Sequence, residues 1–245
     1  MSWEEWVYAQ GIVFAAFAVR GLTGFGTALV MAPLLTLFLD LKRTAVITSV
    51  VAVLNGVGLA FELRKDVARR MLLITSAASL IGLAAGTYLL VTQPGPALKR
   101  AVGFITVVFG ADMFRQGGRG PSENRPWPEG AGVPVGLLSG VLGGLFGTSG
   151  PPMVVFLSRK GLRLAAFRAT LIAFFCVLDT ARAVGYAATG LITREILIVC
   201  AWLMPISYLG SFAGKRIHDR VPERTVRVAV AATLLVTGLV LVMGR

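Results

Sequence analysis

Two short glycine-rich segments hold residues whose types and spacing suit the binding of an anion. They are Arg20-Gly-Leu-Thr-Gly-Phe-Gly-Thr27 and Gly143-Gly-Leu-Phe-Gly-Thr-Ser-Gly-Pro-Pro152, and Phe25-Gly26-Thr27 aligns with Phe146-Gly147-Thr148. Thr and Ser are preferred helix N-caps, and proline suits the first turn of a helix, so a helix is predicted to begin after each glycine segment. The unpaired N–H groups and the partial positive charge at such a helix start attract anions.

Three ionisable residues lie within apolar sequence, where a charge is costly and by default indicates function. Arg20 immediately precedes the first glycine segment, and its guanidinium matches the geometry of an oxyanion. Asp179 and Arg182 share a helix face and can pair, either as a structural ion pair or as a proton-coupling element. Asn55 either donates to a substrate or joins two helices. The predicted substrate-binding residues are Arg20, Gly24, Phe25, Gly26, Thr27, Asn55, Phe146, Gly147, Thr148, Ser149 and Arg182, with Asp179 as the coupling candidate.

Catalytic chemistry has little support in the sequence. Gly147-Thr-Ser149-Gly150 resembles the G-x-S-G of intramembrane serine proteases, but a serine nucleophile needs a base within hydrogen-bond reach. The single histidine, His218, lies in a basic loop, and no lysine lies within a predicted span. The sequence also has no phosphate-binding loop, no metal-ligand cluster and no dinucleotide fingerprint. We therefore predict neither an enzyme nor a cofactor or metal site.

The composition is typical of a protein that crosses a membrane several times. Of the 245 residues, 56% are hydrophobic and 15% are charged, whereas soluble domains have about 25% charged residues. Long apolar stretches recur along the chain, as in transmembrane helices. The net charge of +12 invites a nucleic-acid partner, but the basic residues lie in short loops between apolar segments, where they indicate topology. Membrane lipid and a small anion are the predicted partners, and nucleic acid is not.

The apolar segments divide the chain into two similar halves. The stretch from Trp6 to Leu39 is too long for one helix and is predicted to break at 21–26, and the stretch from Ala131 to Leu157 is predicted to break at 143–152. The predicted regions are a first membrane repeat at 1–114, a cytoplasmic linker at 115–130 and a second membrane repeat at 131–245. The unbroken predicted spans are Thr44–Phe61, Met71–Val91, Leu98–Phe114, Leu164–Ala188, Ile196–Ala213 and Val226–Met243.

The positions of the basic residues distinguish two arrangements of these segments. If both broken stretches cross the membrane, thirteen of the twenty-two loop lysines and arginines face the cytoplasm. If each stretch instead re-enters as a hairpin, sixteen do, which the positive-inside rule prefers. The sequence thus predicts an all-α polytopic membrane protein of two inverted repeats, with both termini outside. Each repeat is a broken or re-entrant helical hairpin plus three transmembrane helices.

Paired glycines recur at matching places in the two halves. Gly82 and Gly86 in the first half correspond to Gly210 and Gly214 in the second. Two glycines four residues apart let helices approach closely. We interpret these four residues as packing positions rather than as parts of a binding site.

The two glycine segments resemble those of the sulfite exporter TauE/SafE family of bacterial and archaeal permeases. The similarity runs through Gly21 to Leu35, through Gly143 to Leu157, and through the connection that begins at Gly210. The resemblance implies a secondary transporter of sulfite, sulfoacetate or another organosulfonate in the inner membrane. It further implies that the anion binds between the two broken helices, at Gly24 to Thr27 and Phe146 to Ser149.

An exporter with alternating access around a midplane site is the predicted function. An uptake permease of the same family and a passive anion channel are the alternatives. A membrane enzyme or an assembly subunit without transport of its own is a further rival. The particular anion, the coupling ion and the oligomeric state, including a homodimer, stay open.

Overall fold

The computed structural model describes residues 3–24, 26–92, 127–147 and 149–217, with isolated positions between 103 and 114 and between 228 and 243. The described residues form α-helices and one short 3-10 turn, and none of them is in a strand. The helices are α1 (Trp3–Thr23), α2 (Thr27–Leu35), α3 (Leu41–Glu62), α4 (Arg69–Thr92), α5 (Gly132–Phe146), α6 (Gly150–Ser158), α7 (Leu164–Ala188) and α8 (Arg194–Ile217). The predicted linker up to residue 126 and most of the spans predicted at 98–114 and 226–243 lie outside the described residues.

Of the helices in the described part of the chain, four are long and apolar enough to cross a membrane, namely α3, α4, α7 and α8. They coincide with the spans predicted at 44–61, 71–91, 164–188 and 196–213, so these four predictions are confirmed. The side chain of Asp40 starts α3 as an N-cap, because it accepts a hydrogen bond from the N–H of Arg43 at 2.9 Å. The prediction of an all-α polytopic membrane protein therefore holds over the described part of the chain.

Glycines in the left-handed conformation interrupt both broken stretches. α1 ends before Gly24, at φ 81°, and Gly26, at φ 97°, precedes α2. α5 ends before Gly147, at φ 72°. Glycine adopts this conformation without the steric penalty that other residues meet. Both breaks are narrower than predicted, because Gly21 and Gly143 remain helical.

The helix ends give an alignment of the two halves that differs by two residues from the alignment of the Phe-Gly-Thr motifs. The N–H of Gly24 donates to the carbonyl of Arg20 at 2.7 Å, and the N–H of Gly147 donates to the carbonyl of Gly143 at 3.0 Å. Gly24 therefore corresponds to Gly147, and the Phe-Gly-Thr match, which pairs Gly26 with Gly147, is wrong as a structural alignment. In the helix alignment Gly26 corresponds to Ser149, and α2 and α6 are each nine residues long.

The first broken stretch turns back on itself, so its two ends lie on one face of the protein. Trp6, near the start of α1, and Leu39, after α2, line the same cavity of about 630 Å³. Gly190 and Arg194, from the connection between α7 and α8, line this cavity too. We call this end of the protein the Trp6 face.

The second broken stretch also turns back, and its ends lie at the other end of the helices. Nζ of Lys160, after α6, donates to the carbonyl of Trp127, before α5, at 2.7 Å. Glu129 pairs with Arg70 at the start of α4, with 3.0 Å between the charged atoms. Because α3 begins at the Trp6 face and α4 follows its far end, this end, the Trp127 face, is opposite to the Trp6 face.

The two hairpins pack reciprocally on the spans of the other half. α1 packs along α8, α5 packs along α4, and α3 packs against α7 in the middle. A Cβ on Gly82 would lie 2.9 Å from the backbone nitrogen of Val141, and one on Gly86 would lie 3.0 Å from its Cα. Gly210 and Gly214 approach the backbone of α1 as closely. The predicted packing role of these four glycines is confirmed.

Candidate functional site

Both helix breaks open onto one small buried cavity of about 30 Å³. A single buried water needs about 10–15 Å³ of such space, so the cavity has room for about two waters. Six elements contribute to it: the C-terminal ends of α1 and α5, the starts of α2 and α6, and the middles of α3 and α7. The lining residues are Arg20, Gly26, Thr27, Ala28, Ala52, Gly147, Ser149, Gly150, Phe175, Asp179 and Arg182.

The structure brings together most of the residues that the sequence singled out. Arg20, Gly26, Thr27, Gly147, Ser149, Asp179 and Arg182 line the cavity, whereas Gly24 and Asn55 do not. Phe25, Thr148 and the side chain of Phe146 lie outside the described residues. That any of these residues binds a substrate stays a prediction.

Arg20 is a buried cation that forms no ion pair with any described residue. Its side chain lies in the last turn of α1 and the residue is 2% exposed. Nη1 donates to the carbonyl of Ala52 in α3 at 3.2 Å, while Nη2 has no hydrogen-bond partner among the described residues. The guanidinium also lies 5.8 Å from the ring centre of Phe17. A buried charge is costly unless it is paired, so this guanidinium is suited to an external anion.

Asp179 and Arg182 form a buried ion pair on α7, as their spacing predicted. The two residues are 6% and 4% exposed, and Nη2 of Arg182 donates to Oδ1 of Asp179. Nη1 of Arg182 donates to the carbonyl of Gly143 at 3.3 Å, and its Nε has no partner within the described part of the chain. Two guanidinium groups and one carboxylate leave one net positive charge around the cavity.

The starts of α2 and α6 reach the cavity without capping side chains. The N-cap of α2 is Gly26, so Thr27 is the first helical residue, and the prediction that Thr27 caps this helix is wrong. Ser149 is the N-cap of α6, but its hydroxyl makes no capping bond and has no described partner. Neither helix start therefore has a bond from its capping side chain, and helix starts favour anions. At α6 the N–H of Gly150 is the first-turn donor, because Pro151 and Pro152 carry no N–H.

Asn55 joins two helices at a position away from the cavity. Its Nδ2 donates to Oγ of Ser207 at 3.3 Å, and its Oδ1 accepts from Oγ of Ser211 at 3.1 Å. Both serines are on α8, so these bonds fasten α3 to α8. Of the two roles considered for Asn55, the contacts are those of the helix-joining role.

Arg168 and Phe175 are site residues that the sequence reasoning missed. Nη2 of Arg168, near the start of α7, donates to the carbonyl of Gly21 at 2.5 Å. A Cβ added to Gly24 would lie only 2.7 Å from Cγ of Arg168. Arg168 thus braces the first break from the other half. Phe175 lines the cavity opposite Ala52, its counterpart in the helix alignment. Arg168 lies near the start of a predicted span, where a basic residue is ordinary, and Phe175 carried no signal in an apolar run.

Broken helices that meet at a buried, net-positive cavity within a bundle of apolar helices place the protein among multi-pass membrane proteins with a candidate anion site. More particularly, the chain belongs to the sulfite exporter TauE/SafE family, whose model matches residues 9–241. The resemblance seen in the glycine segments is confirmed, and the family is one of membrane transporters.

Two curated relatives match part of the chain. The probable sulfite/organosulfonate exporter TauE of Cupriavidus necator is 27% identical over 103 residues, which are 42% of this chain and 40% of that protein. The probable inner membrane transporter protein TsaS of Comamonas testosteroni is 31% identical over 104 residues, which are 42% of this chain and 43% of that protein. Each match thus spans less than half of the relative's length. No solved structure matches the chain significantly.

Proposed function

We propose that the protein is a secondary transporter that exports a small sulfur-containing anion, such as sulfite, sulfoacetate or another organosulfonate. One observation carries this proposal: Arg20, Ser149 and Arg182 line a single buried cavity, and each has a buried donor without a hydrogen-bond partner among the described residues. Charge-assisted hydrogen bonds from guanidinium groups are among the strongest that an oxyanion can accept. The name of the family and that of the Cupriavidus necator relative suggest the sulfur chemistry.

The two halves, 1–114 and 131–245, are proposed to be inverted repeats joined by the linker at 115–130. The hairpin of α1 and α2 opens on the Trp6 face, and the hairpin of α5 and α6 opens on the Trp127 face. Inversion of one half relative to the other gives this arrangement. In transporters built this way, rocking of one repeat against the other exposes a central site to each side in turn.

The Trp127 face is proposed to be cytoplasmic in the inner membrane, with both termini outside. The described basic residues outside the cavity are strongly biased to it. On the Trp127 face lie Arg64, Lys65, Arg69, Arg70, Arg159, Lys160, Arg163, Arg168, Lys215 and Arg216, and on the Trp6 face lie Lys42, Arg43 and Arg194. The positive-inside rule places the richer face in the cytoplasm.

Export is the proposed direction because the membrane potential favours it. A potential that is negative inside assists an outgoing anion by about 2.3 kcal/mol per charge per 100 mV. Asp179 is the proposed coupling residue, since its carboxylate competes with a bound anion for Arg182. A proton on Asp179 would release Arg182 to the anion. No catalytic step and no cofactor enter this proposal.

Thermal shift of the purified protein tests anion binding at the cavity. Ligands that bind the folded state raise its melting temperature, so sulfite, thiosulfate, sulfoacetate, taurine and sulfate are compared at equal ionic strength. At least one sulfur anion should raise the melting temperature, and Arg20→Ala should abolish that rise. Arg43→Ala, which removes an exposed arginine on the Trp6 face, is the matched control. An undiminished rise in Arg20→Ala would show that the anion binds elsewhere.

Counterflow in proteoliposomes tests transport itself. A transporter with alternating access exchanges external labelled anion for internal unlabelled anion and accumulates label transiently. A passive channel dissipates the gradient without this overshoot. If purified protein moves no anion until a second protein is added, an assembly subunit is the correct assignment and the transporter proposal fails.

A further inference from the structure

Two buried threonines on α3 have hydroxyls that bond to nothing in the described part of the chain. Thr44 and Thr48 are 1% and 2% exposed, and Oγ1 of each lacks a hydrogen-bond partner. A buried polar group left without a partner destabilises the folded state. Such groups in a native structure require an explanation, and an absent ligand is one.

Several other threonines of this protein bond their hydroxyls to a carbonyl of their own helix. Oγ1 of Thr75 donates to the carbonyl of Met71 at 2.7 Å, and Oγ1 of Thr170 donates to the carbonyl of Ala166 at 2.7 Å. This bond to the carbonyl four residues earlier is the usual solution for threonine in a helix. Thr48 and Thr44 do not use it, so their hydroxyls remain available to another acceptor.

The two hydroxyls lead from the cavity toward the Trp6 face. Thr44, Thr48 and Ala52 recur every fourth residue, so they lie on one side of α3. Ala52 lines the cavity, and its carbonyl accepts from Arg20. Thr44 lies in the first turn of α3, beside Arg43 on the Trp6 face. The side of α3 that borders the site is thus polar along its length on this half of the protein.

The corresponding side of α7 is apolar. In the helix alignment Phe167, Leu171 and Phe175 take the places of Thr44, Thr48 and Ala52, and they lead from the cavity toward the Trp127 face. Leu171 is fully buried, and Phe167 and Phe175 pack with it in the core of the second half. Hydroxyl donors therefore lie on this side of α3 and not on the corresponding side of α7. An oxyanion that leaves water needs replacement donors, whereas an apolar constriction excludes it.

We propose that the transported oxyanion passes between the central cavity and the Trp6 face along α3, with the hydroxyls of Thr48 and then Thr44 as its transient donors. The inference rests on the proposed function, because it needs an anion in the cavity. It adds a second set of anion-contacting residues, distinct from those that hold the anion at the cavity. Phe167 and Leu171 form the apolar closure on the opposite side.

Exchange kinetics with isosteric variants test the role of these hydroxyls. Thr48→Val should lower the exchange of labelled sulfite in proteoliposomes at least tenfold, while the anion-induced rise in melting temperature persists because the cavity is unchanged. Thr48→Ser, which keeps the hydroxyl, should exchange within about twofold of the parent. Thr75→Val removes a buried hydroxyl of α4 away from the cavity and is the matched control. Thr48→Val exchanging as fast as Thr75→Val would overturn the proposal.

Cysteine accessibility tests the route without requiring transport of a sulfur anion. In a chain with Cys176→Ser and Cys200→Ser, Thr48→Cys should react with a membrane-impermeant thiol reagent supplied at the Trp6 face, and Leu171→Cys should not. Unreactive Thr48→Cys, or equal reactivity of both, would overturn the route. If Thr48→Cys reacts but the parent protein moves no sulfur anion, the route stands and the proposed function fails.

Discussion

At the scale of residues, Arg20 determines what the cavity can hold. Its guanidinium is buried, donates to one backbone carbonyl and meets no carboxylate within ion-pair distance among the described residues. Arg182 differs, because Asp179 neutralises it. An arriving oxyanion would therefore find one cation without a direct ion pair among the described residues and one that is already engaged. This inequality favours a single negative charge at the site.

Replacement of Arg20 by methionine separates its binding role from a structural one. A buried charge without a direct partner is costly, and replacement of buried ionic groups by apolar residues of similar volume is often neutral or stabilising, by about 1–4 kcal/mol. We expect Arg20→Met to unfold at the same or a higher denaturant concentration than the parent without anion, and to show no anion-induced stabilisation. Arg43→Met, at an exposed position, should leave both properties unchanged. A severe loss of stability in anion-free Arg20→Met would assign the arginine a structural role.

Replacement of Asp179 by asparagine tests the proposed coupling. The change removes the carboxylate that competes for Arg182, so anion binding should tighten by roughly tenfold, about 1.4 kcal/mol. Counterflow should persist, whereas accumulation driven by a pH gradient should disappear. Titration calorimetry measures the first effect and proteoliposome uptake the second. Asp66→Asn, at an exposed position, is the control, and weaker binding in Asp179→Asn would contradict the competition between carboxylate and anion.

The residues that could be predicted from the sequence are those whose chemistry conflicts with an apolar surrounding. Arg20, Asp179 and Arg182 are conspicuous because a charge in lipid is costly, and the structure brings all three to one cavity. Phe175 is equally close to the cavity but is one apolar residue among many. Arg168 lies near a helix end, where a basic residue is ordinary, and only the fold brings it to Gly21.

At the scale of elements, glycines set how closely α4 and α5 approach. A Cβ on Gly140 would lie 2.8 Å from the backbone nitrogen of Leu83, and one on Gly144 would lie 2.6 Å from that of Thr87. Both neighbours are backbone atoms, which cannot rotate away. The two helices must move apart if either glycine gains a side chain. The contact between the halves therefore depends on these small residues.

Gly140→Ala should destabilise the protein by about 1–3 kcal/mol, the usual cost of overpacking a close contact. Gly185 in α7 is the matched control, because a Cβ there meets nothing within 4 Å. Gly185→Ala should be neutral or stabilising by up to about 1 kcal/mol, since alanine favours a helix more than glycine does. Unfolding midpoints in detergent measure both. Equal effects of the two substitutions would contradict the close approach of α4 and α5.

The sequence predicts the bounds of the spanning helices better than the positions of the helix breaks, for a physical reason. α7 has the predicted bounds, because apolar length and polar flanks suffice to locate a spanning helix. The breaks were located only to within several residues, since Gly21 and Gly143 serve packing while Gly24 and Gly147 serve the left-handed turn. A glycine in the sequence does not reveal which of these two uses it has.

At the scale of the whole molecule, the site lies where parts of both halves meet. α1 and α2 contribute Arg20 and Thr27, and α6 and α7 contribute Ser149 and Asp179. Any rocking of one half against the other changes the distances between these residues. Arg168 ties α7 to the end of α1, so the proposed rocking would require that bond to adjust. The contacts that form the site are therefore the ones that the proposed rocking would change.

The membrane orientation is tested by labelling one exposed residue on each face. In the chain with Cys176→Ser and Cys200→Ser, Arg194→Cys places a single thiol on the Trp6 face and Arg163→Cys places one on the Trp127 face. Each variant replaces one exposed arginine. An impermeant maleimide should label Arg194→Cys in intact cells and Arg163→Cys only in inverted vesicles, because the face richer in basic residues stays in the cytoplasm. Labelling of both residues from the same side would contradict the inverted hairpins, since the two faces would then not lie on opposite sides of the membrane.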